Sequence, residues 1–100
     1  MSGKEIEVTD NPEAGQFEAS SGGETAVAQY RLQDGAMLFS HTLVPESMEG
    51  RGVGTSLVKA GLAAARERGL KVIPACSFFA RYIAEHPEEQ DLVDDGGWAA

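Results

Sequence analysis

Long apolar runs are missing from this chain, cysteine is almost missing, and positive charge is scarce. No stretch approaches the roughly 18 apolar residues that a membrane span needs, and Met1-Ser2-Gly3-Lys4-Glu5 holds no apolar signal core. A lone cysteine, Cys76, cannot close an internal disulfide and cannot build a multi-cysteine metal site. These absences point to a cytoplasmic protein with no membrane partner and no metal. A formal net charge of −8 would repel a polyanion, so nucleic acid is not an expected partner. One hundred residues allow one two-layered core, which leaves no room for a separate cofactor lobe.

What positive charge there is lies in one place. Residues 1–49 carry nine acids against Lys4 and Arg31, and residues 85–100 carry six acids and no base. Between them Arg51, Lys59, Arg66, Arg68, Lys71 and Arg81 face Glu67 alone. A solvated helix face accounts for Arg66 and Arg68. Arg51 is different, because it stands inside Glu49-Gly50-Arg51-Gly52-Val53-Gly54-Thr55, where three glycines in five residues run directly into a helical pattern. Glycine lets backbone N–H groups approach an anion closely, and the first turn of a helix adds unpaired donors and the positive end of its dipole.

Alternation of apolar and polar residues predicts strands at 5–9 and 16–20, with a turn from Asn11-Pro12 to Gly15 between them. A third strand carries Ala26, Ala28, Tyr30 and Leu32 on one face, and Asp34-Gly35 makes a hairpin into a fourth at about 36–44. Strict alternation there puts Leu38, Ser40, Thr42 and Val44 on one face and Met37, Phe39, His41 and Leu43 on the other. A helix at about 53–68 follows, with Val53, Leu57, Val58, Gly61, Leu62 and Ala65 on one stripe and Gly69 as its left-handed stop. A short strand at 70–73 ends against Pro74. The strand–helix–strand crossover makes the fourth and fifth strands parallel neighbours, whose divergence would open a cleft. A second helix begins near Ser77, expected as its cap, and turns Phe78, Phe79, Tyr82 and Ile83 to one side. Pro87 opens a further turn, and the end from Asp94 through Trp98 reads as mobile. There is no internal repeat and no linker, so residues 1–100 are expected to be a single α+β (α/β) domain with its core at about 5–93.

The glycine loop fits neither of two familiar nucleotide motifs. A nucleoside-triphosphate loop needs lysine directly before Ser or Thr, but Gly54 precedes Thr55-Ser56. A dinucleotide fingerprint would require glycine at 55 after Gly50 and Gly52, or at 57 after Gly52 and Gly54, and finds Thr55 and Leu57.

The meander, the strand ending in His41-Thr42-Leu43-Val44, and Gly52-x-Gly54 opening a helix resemble the acetyl-CoA core of the GNAT N-acetyltransferase superfamily. Gly69 through Cys76, Tyr82-Ile83 and His86-Pro87 through Val93 resemble a subfamily of very small GNAT-like proteins. The resemblance implies acetyl-CoA as co-substrate, with pyrophosphate on the N–H groups of Arg51, Gly52, Val53, Gly54 and Thr55. It also implies that the backbone of Thr42, Leu43 and Val44 pairs with the pantetheine arm. Each charge-assisted contact is worth on the order of 1.5–3 kcal/mol, so three or four suffice without a basic surface. Two departures stand out. Glu49 occupies the place where the family usually has Arg or Gln, and the helices that shape the acceptor site in larger members are missing.

For chemistry, Cys76 is the candidate acid or acetyl acceptor, at a strand end leading into a helix N-terminus where a thiol pKa can fall. His41 is the candidate base, while His86 reads as a cap and Tyr82 as core. Two functions follow: acetyl transfer to an unidentified amine on a small molecule or protein, or a CoA-binding or interaction module without efficient transfer. A monomer or weak homodimer is expected.

Overall fold

A computed structural model describes residues 7–50 and 52–93. Glu5 and Ile6 of the first predicted strand, Arg51 of the loop and the predicted mobile end at 94–100 lie outside the described residues.

Five strands form one sheet in chain order among the described residues: β1 (Glu7–Asn11), β2 (Gln16–Ser21), β3 (Glu24–Gln33), β4 (Ala36–Leu43) and β5 (Lys71–Pro74). The first four are antiparallel, and β4 pairs β5 in parallel. Between β4 and β5 runs α1 (Val53–Arg68), followed after β5 by α2 (Ser77–Glu85). Short 3₁₀ turns at Glu46–Met48 and Pro87–Leu92 complete the order. The α+β architecture is the one that the meander and crossover require.

One face of the sheet holds the core. Ala26, Ala28 and Tyr30 of β3 and Met37 and Phe39 of β4 are buried there, together with every residue of the α1 stripe. Phe17 meets Tyr30 at a tilt, Tyr30 meets Phe39 edge-on, and Phe79 of α2 stacks on Phe39 at 4.0 Å between centroids. Gly61 is what lets α1 approach that stack, because a Cβ there would lie 2.9 Å from the Phe39 ring and 3.1 Å from Phe79. On the other face Gln29, Arg31 and His41 are exposed.

The simple alternation along β4 breaks at one residue. Tyr30 pairs with Phe39 but Gln29 pairs with His41, so Ser40 is an extra residue in a β-bulge. Directly opposed residues share a face. Thr42, opposite buried Ala28, therefore joins Phe39 on the core side, while His41 lies opposite exposed Gln29 on the far side. The expected grouping of His41 with Met37 and Phe39 is corrected by that bulge.

Two smaller corrections concern α2. Cys76 and not Ser77 is its cap residue, with extended backbone and no side-chain hydrogen bond to the helix. Phe78, expected on the buried stripe with Phe79 and Ile83, is 44% exposed. Nine residues of helix leave room for a narrow stripe only, and Phe79 and Ile83 fill it.

Candidate active site

The site begins where α1 begins. Gly50 and Gly52 both have left-handed φ, 81° and 76°, a conformation that side chains with a Cβ disfavour. Met48, fully buried, pins the 3₁₀ turn before them to the core. The Ser56 N–H makes the first helical bond, to the Gly52 carbonyl at 2.9 Å. The N–H groups of Val53, Gly54 and Thr55 precede it, no side chain caps them, and no acid stands in the first turn. These residues line a cleft of about 220 Å³ together with Val44, Met48, Glu49 and Phe78. A Cβ built on Gly50 or Gly52 meets nothing within 4 Å, so the space above them is open. Gly54 is closed on its side by the Phe78 ring, which would stand 2.6 Å from an added Cβ.

The second part of the site lies where β4 and β5 separate. Their pairing ends at Phe39 opposite Pro74. One further bond, from the Cys76 N–H to the Phe39 carbonyl at 2.9 Å, carries the chain off into α2. From there, among the described residues, β4 continues alone on that side to Leu43. The bulge now matters, because it turns Thr42 toward the core, where its Oγ1 accepts a hydrogen bond from Cys76 Sγ at 3.1 Å. Cys76 is buried, at 8% exposure. The structure thus brings Cys76 and Thr42 together at the point of divergence, and puts Val44 in the same cleft as Gly52, Val53, Gly54 and Thr55. His41 sits on the opposite face, exposed, and the Leu43 side chain is also largely exposed.

The charges are less segregated in space than along the chain. Arg66 reaches Glu89 and Asp91 at 3.1 Å each, and Arg68 pairs with Asp10 of β1. Lys71 Nζ donates to the Asp91 carbonyl at 2.9 Å. Arg66 and Arg68 are therefore clasps to the acidic ends of the chain and not a merely solvated face. Hydrogen bonds from Arg66 hold the Asp91 carboxyl below its ordinary pKa, and the carboxylates of Asp91 and Glu89 raise that of Arg66. Burial, then the bond it donates to Asp10 at 2.6 Å, raises the pKa of Tyr30. Tyr82 is raised by burial and by Glu89 and Glu88, and stacks on His86 at 3.9 Å. His86 caps the end of α2, its Nδ1 2.8 Å from the Tyr82 carbonyl.

Met48 and Phe78 are the cleft residues that sequence reasoning missed. Met48 stands three residues after a proline in a stretch without periodicity, and nothing in the pattern separates Phe78 from buried Phe79. Among the described residues no three His, Cys, Asp or Glu side chains converge as a metal site, and no helix is long and apolar enough to cross a membrane.

Comparison with known proteins agrees with this geometry. A family model described as GCN5-related N-acetyltransferase matches residues 16–92. Protein NATD1 from Homo sapiens and from Mus musculus are each 38% identical over 52 residues, 52% of this chain. The match spans about half the length of those relatives, 46% and 47%. Among solved structures, the NMR solution structure of a GCN5-like protein from Staphylococcus aureus superposes with a TM-score of 0.66 and 28% identity, covering all of both chains.

Proposed function

The chain belongs to the GCN5-related N-acetyltransferase family, and from that premise we propose that it binds acetyl-CoA and transfers the acetyl group to an amine. One observation carries the reading: the uncapped N–H groups of Val53, Gly54 and Thr55 and the divergence of β4 from β5 are parts of one site, with Val44 of the β4 end in the same cleft. The donors suit a pyrophosphate, and the space over Gly50 and Gly52 admits it. Arg51, between Gly50 and Gly52 in the sequence, is proposed to add its charge. Among the described residues no strand pairs with the backbone of Thr42 to Val44 on the β5 side, so a pantetheine amide can pair there like an added strand.

The arm then delivers the thioester toward Cys76 and Thr42. An amine attacks the thioester carbonyl, the N–C bond forms, the C–S bond breaks, and the sulfur leaves as a thiolate that takes a proton. Cys76 is the donor: thiol and departing thiolate are chemically matched, so the proton passes with little driving force either way. The Thr42 hydroxyl holds that thiol in place. His41, exposed on the far face of the sheet, is the base for an amine that approaches from that side. A lone reduced cysteine suits the cytoplasm, and the open face suits an acceptor on a small molecule or a protein.

The test has two arms. Acetyl-CoA at a hundred times its dissociation constant should stabilise the fold by about 2.7 kcal/mol, and free CoA should appear when a broad panel of amines is added. A melting curve unmoved by millimolar acetyl-CoA removes the reading; binding without turnover leaves a CoA-binding module. Cys76→Ala should lower turnover at least tenfold while CoA affinity stays within a few fold. Intact mass after incubation with acetyl-CoA should show no adduct, since an acetyl group held on Cys76 would mean that transfer passes through the sulfur.

A further inference from the structure

On the face of the sheet away from the helices, directly opposed residues line up in rows across the strands. Gln16, Gln29 and His41 make one such row from β2 to β4, and Glu18, Val27 and Leu43 make the next. We propose that Glu18 receives a second cationic group of the acceptor, so that the amines this protein acetylates are linear diamines and polyamines and not monoamines. The proposal rests on the reading that the amine approaches from this face, with His41 as its base.

Glu18 is oriented in advance for that role. Asn11 Nδ2 donates to its Oε2 at 3.1 Å, and Gln16 Nε2 donates to the same oxygen at 2.7 Å. Nothing among the described residues bonds Oε1, and no described base pairs with the carboxylate. The bonds from Gln16 and Asn11 hold the carboxyl below its ordinary pKa, so the charge is present and unneutralised. An ammonium group can therefore take Oε1 in a charge-assisted bond without first having to order the side chain.

Spacing sets the length of the ligand. Two strand spacings across and two residues along put about 12 Å between the backbones of His41 and Glu18. An extended diamine with an eight-carbon chain is of comparable length. Its path crosses Val27 and runs beside Leu43, so the 54% exposure of that leucine gains a use as a rest for alkyl carbons. Arg31 lies on the same face two residues past Gln29, on the side away from Val27, and its charge turns a cation toward Glu18. Glu7 shares the face but stands one strand farther out, opposite Ser20.

Rates of CoA release at saturating acetyl-CoA test this in the intact chain, with an eight-carbon terminal diamine, a four-carbon one and the eight-carbon monoamine. The unaltered protein should show kcat/KM for the long diamine at least tenfold above that for either other amine, mostly through KM, and added salt should shrink the preference. Glu18→Gln should bring the long diamine down to the monoamine, while the monoamine rate and CoA affinity stay within twofold. Glu18→Asp keeps the charge and should retain a preference. Equal kcat/KM for the long diamine and the monoamine in the unaltered protein overturns the assignment while acetyl transfer stands. So does a Glu18→Gln variant that keeps the preference or lowers both amines alike. If acetyl-CoA binds but no amine releases CoA, the transfer reading fails and takes this one with it.

Discussion

The two ends of α1 carry the same residue in nearly the same conformation and treat the backbone in opposite ways. Gly52 at the start has φ 76° and Gly69 at the finish has φ 70°. At the finish the backbone closes on itself: the Gly69 N–H bonds the Arg66 carbonyl at 3.2 Å and the Leu70 N–H bonds the Ala65 carbonyl at 2.8 Å, which is a Schellman closure. Leu70 packs back on the core, and Arg66 and Arg68 suit the negative end of the dipole before reaching acids on other elements. At the start no side chain caps the helix and a cleft stands open over the free N–H groups. A helix end that existed only to be stable would be closed in both places. The open one is where a ligand can supply the missing partners.

The comparison breaks most visibly at Gly52. Gly52→Val puts a branched side chain into the open space and forces a left-handed backbone that valine resists, at roughly 1–2 kcal/mol. CoA binding should fall at least a hundredfold by titration, well beyond the loss of stability. The mirror change, Gly69→Ala, meets no atom within 4 Å and strains φ only. It should lower stability by about 1 kcal/mol, a shift of several degrees in Tm for a chain of this size, and leave CoA affinity within twofold. If Gly69→Ala weakens CoA as much as Gly52→Val does, the two ends are not separate in function and the contrast drawn between them is wrong.

Both ends of the helix were legible in the sequence because two independent signals coincide there: a stripe at spacings of three and four, and a glycine just outside each end. The meander was legible for a similar reason, since alternation between Gly or Pro turns admits little else. What escaped was set by contacts far apart in sequence. The bulge at Ser40 carries no glycine to mark it, yet it alone decides that Thr42 meets Cys76 and that His41 does not. Arg66 and Arg68 looked solvated because their carboxylates lie 23 to 58 residues away. Phe78 and Phe79 are adjacent and alike, and only the packing of α2 on Phe39 tells them apart. The placement of the loop was therefore readable and the placement of the chemistry was not.

The smallest effect belongs to the closed end, and its sign is fixed by the Arg66 clasp. Asp91 is held below its ordinary carboxylate pKa by the hydrogen bonds that Arg66 donates. A carboxylate so depressed stabilises the fold at every pH above its unfolded value, and that contribution is lost as pH falls through the lowered folded value. Arg66→Gln removes the clasp, so the stability difference between the two proteins should be constant from neutral pH down to about the ordinary aspartate value of 3.8. Below that it should close. The difference will be small, because the Arg66 and Asp91 side chains are 47% and 66% exposed and solvent screens the pair, and high salt should shrink it further. Lys71 still bonds the Asp91 carbonyl, so the 3₁₀ turn stays docked on α1 and β5 when Arg66 is lost. Urea melts across pH, with and without added salt, measure all of this. CoA affinity, followed in parallel, should not change, because the clasp sits at the opposite end of α1 from the uncapped N–H groups of Val53, Gly54 and Thr55.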